Sequence, residues 1–284
     1  MKTTRPLNPQ IIKANSRSNE GLFTPVKNLF RELKIYRGQI KAVYSQKFRD
    51  SYYGTVFGVF WNFILPLIPL TVYLLLAVLR IFPTFGEVDR LTYIVFGVMI
   101  WFVFVGFINI PISSVKSGND VAMKTSLPLS VGMFSNFSTL IFETVVRIFF
   151  VLGVMIVMSS YPVVTAPAVI LIFISSFFLF FGSGLILAVL NIINKDIERV
   201  VRIILQYGVF VSGVIFPLGT GPFFDWFNRL NPFSVYVDAS RKIVFEGQIH
   251  DFWPLVIWTV VGLIVFILGC RIFYIMEYRI RGIQ

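Results

Sequence analysis

Long runs of residues without a formal charge dominate the chain. The first run, residues 56–79, is 24 residues long, and a helix needs about 20 apolar residues to cross a hydrocarbon layer of about 30 Å. Helices are favoured over a β-barrel because the runs are continuously apolar and lack the alternation of barrel strands. The sequence therefore predicts an all-α integral membrane protein with six transmembrane helices, at about residues 56–80, 91–115, 131–158, 163–193, 203–224 and 253–274.

The composition excludes several other classes of protein. Hydrophobic residues make up 56% of the chain and charged residues only 14%, which does not fit a disordered chain, a disulfide-stabilised secreted domain or a compact soluble enzyme. Cys270 is the single cysteine and His250 the single histidine, so neither a disulfide nor a cysteine–histidine metal cluster can form within the chain. We predict no metal site and no catalytic residue.

The basic residues that give the net charge of +11 are concentrated on one predicted side of the membrane and do not form a continuous basic stripe. If six helices cross the membrane, one side carries 19 Lys and Arg and the other side carries five. The positive-inside rule then predicts that both termini are cytoplasmic. Orientation and attraction to anionic membrane lipids explain the excess of basic residues, so no nucleic-acid partner is predicted.

The regions outside the spans are predicted to differ in character. Residues 1–22 lack periodicity and predict a flexible cytoplasmic tail. Within residues 23–55, apolar residues recur at three- and four-residue steps among basic ones, which predicts an amphipathic helix in the inner headgroup layer, with a break near Gly38. A soluble basic helix that contacts a partner remains the alternative. Residues 217–247 predict short re-entrant or interfacial helices before the last span, and residues 277–284 predict a cytoplasmic tail.

Several short motifs follow one another along residues 25–280. The first span begins with KFRDSYYGTVFGVFWNFILP, the loop before the third span ends in SLPLS, and the fourth span is followed by NIINKDIERV. An outer segment reads LNPFSVYVDASRKIVFEG. The residues that define these motifs are Gly58, Trp61, Pro66, Pro128, Asn194, Asp196, Leu230, Asn231, Pro232, Arg241 and Gly247.

In this order and spacing, the motifs are similar to those of ABC-2-type permeases that export lipid-linked polysaccharides. The resemblance implies a homodimer of this chain that works with two copies of a separate nucleotide-binding ATPase. The chain has no Gly-x-x-x-x-Gly-Lys-Ser/Thr stretch, so ATP and Mg²⁺ are expected on the partner ATPase rather than here. Lys195 stands where the family usually has Arg, and Lys cannot copy the planar bidentate pairing of Arg.

The resemblance also indicates a surface for the ATPase. A coupling surface should be cytoplasmic, polar and rigidly joined to the spans, which selects the turn after the fourth span and the amphipathic segment near residues 31–49. The alternative for the turn is a solvated loop whose charges only set orientation. The predicted coupling residues are Asn194, Lys195, Asp196, Glu198, Arg199, Arg31 and Arg37.

Two sets of residues in the spans are candidates for the substrate path. Glu143 and Arg147 are four residues apart on the third span, so they share a helix face and can neutralise one another. They either contact substrate phosphate or a neighbouring helix, or form an internal structural ion pair. Aromatic rings bind the apolar faces of sugars, which makes Trp101, Phe102, Phe104 and Tyr207 candidates to line a glycan path.

The sequence therefore favours the permease of an ATP-driven exporter in the bacterial inner membrane, with a lipid-linked O-antigen, capsule or teichoic acid as substrate. A drug or lipid exporter of the same fold is the alternative. A membrane-embedded transferase is disfavoured because the spans lack convergent acids and bases. A proton-driven carrier is disfavoured because the chain shows no two similar halves.

Overall fold

The computed structural model describes residues 17, 20–50, 53–79, 88–122, 128–217 and 221–282, and their regular secondary structure is helical. Short 3₁₀ turns, Gly58–Phe60 and Ala166–Ala168, precede α3 and α7, and a π-helical turn, Lys242–Glu246, follows α10. The helices are α1 Thr24–Ile35, α2 Arg37–Asp50, α3 Trp61–Ile64, α4 Ile68–Val78, α5 Arg90–Ala122, α6 Leu129–Val157, α7 Val169–Ile193, α8 Asp196–Val211, α9 Pro222–Leu230, α10 Pro232–Arg241 and α11 Trp253–Gly282.

The helices form a bundle around α5 and α7. Helix α7 packs against α11 on one side and α5 on the other, and α6, α4, α10 and α8 also contact α5. Helix α1 lies across the beginning of α6 and the end of α11. The core is apolar and aromatic, and Phe104, Tyr236 and Leu70 are among its fully buried side chains.

Glycines allow the central helices to approach closely. A Cβ at Gly182 of α7 would lie 2.6 Å from the Cα of Phe266, and one at Gly269 of α11 would lie 2.5 Å from the carbonyl oxygen of Gly182. On the opposite face of α7, a Cβ at Gly184 would lie 2.6 Å from the Ile108 carbonyl oxygen. These contacts are the small-residue packing that membrane helices use in place of a hydrophobic driving force.

Four of the six predicted spans are continuous helices. Among the described residues, the helices long and apolar enough to cross a membrane are Arg90–Val115, Leu129–Val157, Ala166–Ile193 and Trp253–Glu277. The predicted first span is present as two pieces, Gly58–Ile64 and Ile68–Val78, which meet at a 50° bend. Pro66 and Pro69 explain the bend, because proline lacks the N–H and clashes with the preceding helical turn.

The predicted fifth span, residues 203–224, differs from the structure. Helix α8 begins at Asp196, seven residues earlier, and ends at Val211 after 16 residues, about 24 Å at 1.5 Å per residue. The break after it contains Gly213, whose φ of +64° lies in the left-handed region that a helix cannot use. The uncharged run at residues 203–224 therefore does not form the single helix predicted from the sequence, but contains a helix end, a turn and the start of α9.

The remaining predictions concern the segments outside these helices. The predicted amphipathic segment forms two helices that meet at Tyr36, two residues before the expected break at Gly38. The short helices predicted before the last span are α9 and α10. Most of the predicted flexible tail, residues 1–22, and the last two residues of the predicted C-terminal tail lie outside the described residues.

Candidate functional site

The turn between α7 and α8 gathers five of the predicted coupling residues. Two asparagines hold it: the Asn194 side-chain oxygen accepts from the Asp196 N–H at 2.9 Å, and that of Asn191 accepts from the Glu198 N–H at 3.0 Å. These bonds satisfy N–H groups that the first turn of a helix leaves unpaired. The turn, called here the α7–α8 turn (residues 191–199), is thus fixed to the end of α7. Asn191 was missed from sequence because it lies within an apolar run.

Most charged side chains of the turn are exposed, Glu198 is partly buried, and two ion pairs lie along α8. Arg199 donates to Asp196 at 3.0 Å and Arg202 donates to Glu198 at 2.8 Å. Acidic residues in the first turn of a helix also favour the helix dipole. Exposed pairs of this kind contribute little to stability, about 0–1 kcal/mol each. The charged face of the turn is therefore available for a partner rather than needed for folding.

The other two predicted coupling residues lie on a separate element at the same end of the bundle. Arg31 is exposed on α1 and Arg37 is exposed at the first position of α2. Helix α1 is anchored by Asn28, whose side chain donates to the Tyr274 hydroxyl on α11 at 2.8 Å. The structure places Arg31 and Arg37 on a docked helix pair.

A buried carboxylate holds three segments together beside α1. Glu277 of α11 accepts from the Leu129 N–H at the start of α6 at 3.3 Å and from the Arg17 guanidinium at 3.2 Å. The Arg17 guanidinium also stacks on the Tyr274 ring, 3.8 Å from its centroid. Sequence reasoning missed this cluster because its members are more than 100 residues apart, and a Glu near a C-terminus resembles an ordinary surface charge.

Glu143 and Arg147 form an ion pair, 2.9 Å between Oε2 and a terminal guanidinium nitrogen. Arg147 is buried, and its Nε donates to the Pro66 carbonyl oxygen at 3.2 Å, at the bend of the first predicted span. Its guanidinium lies 5.1 Å from the centroid of the Phe102 ring. These contacts give the pair a structural role at the bend, while the partly exposed Glu143 keeps one side open.

The four candidate aromatic residues are not brought to one surface. Trp101 and Phe104 are buried in the core, where both pack against the Phe233 ring, at centroid distances of 4.8 and 6.3 Å. Their placement inside one chain argues against contact with a substrate. Tyr207, by contrast, is 60% exposed on α8. Phe102 is half-buried beside Arg147, so Tyr207 is the exposed member of the four.

The motif residues Asn231 and Arg241 both reach the end of α8. The Asn231 side-chain nitrogen donates to the Val211 carbonyl oxygen at 3.2 Å, and its oxygen accepts from the Phe233 N–H at 3.1 Å to cap α10. Pro232 occupies the first turn of α10, where a missing N–H is harmless. Asn231 therefore closes the end of one helix and begins another.

Arg241 fills the break that follows α8. Its guanidinium donates to the Gly213 carbonyl oxygen at 2.6 Å, to the Tyr93 carbonyl oxygen at 3.1 Å, and also to the Val214 carbonyl oxygen. It stacks on the Tyr93 ring, 3.6 Å from the centroid. A buried arginine is well suited to such a position because its fork of N–H groups can serve several carbonyls at once.

The motif residues at the start of the first predicted span have local roles. Gly58 has a φ of +51°, which favours glycine. Trp61 begins α3 and its ring packs edge-on against the Phe57 ring at 5.6 Å. Pro128 is extended and immediately precedes α6. In the part of the chain that the structure describes, no three His, Cys, Asp or Glu side chains are grouped to hold a metal ion.

Comparison with known proteins agrees with the arrangement of these motifs. A family model described as "ABC-2 type transporter" matches residues 38–245. The chain belongs to the ABC-2 type transporter family. The match to this ABC-2 chain includes α8, the break after it and Arg241, and it makes the chain the membrane subunit of a transporter.

Among curated proteins, this ABC-2 chain is similar to the O-antigen export system permease protein RfbA of Myxococcus xanthus. The two are 26% identical over 258 residues, which cover 86% of this chain and 95% of that protein. The similarity therefore covers more of this chain than the family match does.

Proposed function

We propose that this chain is the permease of an ATP-driven exporter that moves a lipid-linked polysaccharide of the O-antigen, capsule or teichoic acid class across the bacterial inner membrane. The observation that supports the proposal best is the similarity to an O-antigen export permease over nearly the full length of both chains. The order of the motifs and the docked basic helices ahead of the first span are consistent with it.

The proposal includes partners and an orientation. Two copies of the chain form a homodimer, and two copies of a separate ATPase subunit bind ATP and Mg²⁺ and supply the energy. The basic end of the bundle, which carries α1, the α7–α8 turn and the end of α11, faces the cytoplasm, and α1 and α2 lie at the inner headgroup layer. The opposite end, with α9 and α10, faces outward.

The location of the cell's glycan tests the transported substrate. Deletion of the gene should leave lipid-linked glycan inside the cell, detected by a sugar-binding probe on lysates but absent from intact cells. Expression of the wild-type chain should restore surface display. Normal display in the deletion strain would refute the substrate class, and a defect limited to drug or lipid efflux would indicate the other kind of exporter.

The α7–α8 turn is proposed to receive the ATPase. Reversal of its two acids, the exposed Asp196 and the partly buried Glu198, in the variant Asp196→Lys with Glu198→Lys should abolish co-purification with the ATPase and surface display of glycan. Glu246→Lys, an exposed reversal at the opposite end of the bundle, serves as the control and should change neither. Unchanged association in the double variant would place the coupling surface elsewhere.

The substrate path is proposed to include Tyr207 and the open side of Glu143. Tyr207→Ala should slow export because an exposed aromatic face on α8 is lost, with protein level and ATPase association unchanged. Glu143→Gln tests the ion pair: full export at normal protein level would assign Glu143 to structure, whereas lost export with an intact fold would assign it to the path.

A further inference from the structure

A polar cavity lies at the end of the bundle opposite the α7–α8 turn. It has a volume of about 320 Å³, is open to the outside, and is lined by the break after α8, by α9 and α10, and by the first residues of α11. Cavities that bind small molecules have volumes of roughly 300–1,000 Å³. The space is therefore large enough for a ligand, and none of the coupling residues lines it.

The charges in this cavity balance. Its described lining includes as many carboxylates as basic side chains, and two ion pairs lie in its wall, Arg229 with Asp251 at 3.0 Å and Lys242 with Asp238 at 2.7 Å. A phosphate would meet the carboxylates, and a cation would meet the basic groups. The lining instead contains both hydrogen-bond donors and acceptors. This suits a neutral ligand rich in hydroxyl groups, because each hydroxyl both donates and accepts hydrogen bonds.

Two lining residues carry buried polar atoms that lack a hydrogen-bond partner among the described residues. They are the Ser234 hydroxyl and the Arg241 Nε, on side chains of residues that are 6% and 7% exposed. Buried polar atoms are nearly always paired in folded proteins, so an unpaired one calls for an explanation such as a bound group. Both residues lie in the wall of the same cavity.

An aromatic cleft adjoins the polar cavity. It has a volume of about 490 Å³ and includes Trp253 and Trp258 in its lining. Arg229, Asp251 and Pro254 line both spaces, so the ion pair forms the shared wall. The Trp258 ring N–H donates to the Arg229 carbonyl oxygen at 3.0 Å, which orients that ring. Aromatic faces next to a hydrogen-bonding chamber provide both kinds of surface that a pyranose ring presents.

We propose that this cavity and cleft bind a neutral sugar unit of the exported glycan at the outer end of the permease. The hydroxyl groups of the sugar bind the exposed Asp225 carboxylate and the Ser234 hydroxyl in the polar cavity, and its apolar face rests on Trp253. The Ser234 hydroxyl is inaccessible to solvent as it stands, so its side chain must rotate toward the cavity to make this contact. The proposal rests on the proposed function for the identity of the glycan and for the outward orientation.

Binding by the purified permease–ATPase complex in lipid nanodiscs tests the proposal. The probe is the neutral oligosaccharide that mild acid releases from the surface glycan of the source cell, and saturation-transfer NMR measures its affinity. Ser234→Ala and Asp225→Asn should each weaken binding about three- to tenfold, the effect of one lost hydrogen bond. Trp253→Leu should reduce transfer to the C–H protons of the sugar.

Matched variants control for indirect effects. Ser135→Ala also removes a buried hydroxyl that has no partner among the described residues, but on α6 and away from the cavity. Trp226→Leu removes a similarly exposed tryptophan, 60% against 63% for Trp253, from α9 outside the described lining. Both controls should bind like the wild type. Ser234→Ala should not lower the temperature of unfolding, since no protein hydrogen bond is lost.

The outcomes separate the cavity from the transport function. If the probe does not bind, or binds the Ser234 and Asp225 variants as well as the wild type, the sugar site is wrong, while glycan trapped in the deletion strain would still support export. If glycerophosphoethanolamine displaces the probe, the cavity takes a lipid headgroup and the sugar site is also wrong. Normal glycan display after deletion would refute the export function without any binding measurement.

Discussion

Replacement of Arg241 by Met should release the segment that follows α8. The guanidinium donates to carbonyl oxygens of Gly213, Val214 and Tyr93 from a buried position. Methionine keeps much of the side-chain length but has no N–H group, so the three carbonyls lose this partner. Break-up of a buried charged contact of this kind costs about 3–5 kcal/mol, less than the sum of its bonds because the arginine no longer has to be desolvated.

Hydrogen exchange measures this loss where it should occur. Because each 1.4 kcal/mol is about a factor of ten, a loss of about 3–5 kcal/mol predicts roughly 10²- to 4 × 10³-fold faster exchange of the amides between residues 209 and 217. Amides of α7 should keep their protection, since Arg241 does not bond to that helix in any of these contacts. Arg241→Lys should give an intermediate rate, because an ammonium cannot serve three carbonyls from one planar fork.

Lys242→Met provides the matched control. It removes a neighbouring cation whose ion pair with Asp238 is partly exposed, with side-chain exposures of 30% and 62%, and pairs accessible to solvent contribute about 0–1 kcal/mol. Exchange of residues 209–217 should therefore change less than about fivefold in this variant. Equal protection in the Arg241→Met and Lys242→Met variants would refute the assignment of Arg241 as the group that holds the break.

Three further predictions concern helix packing and the basic end of the bundle. Gly269→Ala should lower the stability of the purified chain by about 1–3 kcal/mol in thermal unfolding, because its Cβ would meet the Gly182 carbonyl oxygen. The control, Gly153→Ala, has open space around its Cβ and should be neutral or slightly stabilising. Asn191→Ala should cost about 1 kcal/mol through loss of the cap on α8 and increase exchange at its first turn, an effect that unchanged exchange would contradict. Glu277→Gln should speed protease cleavage after Arg17, because the ion pair between these residues is lost; equal cleavage rates would show that the pair does not hold this segment.

The sequence predicted the helical fold because lipid allows few alternatives. Uninterrupted apolar runs predict the membrane-spanning parts of α5, α6, α7 and α11 within three residues, while α5 and α11 continue beyond their apolar runs to Ala122 and Gly282. The prediction was wrong at residues 203–224, because hydropathy does not distinguish one continuous helix from a helix, a turn and a second helix. Only the left-handed Gly213 and the side chains of Asn231 and Arg241 mark the helix end, and hydropathy records none of them.

The positions of the candidate site residues were predictable where they depend on the local sequence, but not where they depend on the packing of distant helices. The α7–α8 turn is a local feature, so Asn194, Asp196 and Glu198 were placed on one turn from sequence alone. Trp101 and Phe104, in contrast, were chosen for their chemistry, and their burial against Phe233 depends on contacts with a helix more than 120 residues away. When a helix is apolar on all sides, its sequence does not show which side packs against a neighbouring helix.

Helix α8 joins the two regions that the proposals concern. Its first turn is fixed to α7 by Asn191 and Asn194, and its last turn and the break after it are held by Asn231 and Arg241. A helix capped at both ends transmits a displacement along its axis, because its backbone hydrogen bonds resist compression and neither end is free to fray. Helix α8 therefore links the α7–α8 turn with α10 and the polar cavity through side-chain contacts at both of its ends. Hydropathy marks the charged first turn of α8 but gives no sign of the helix end at Val211.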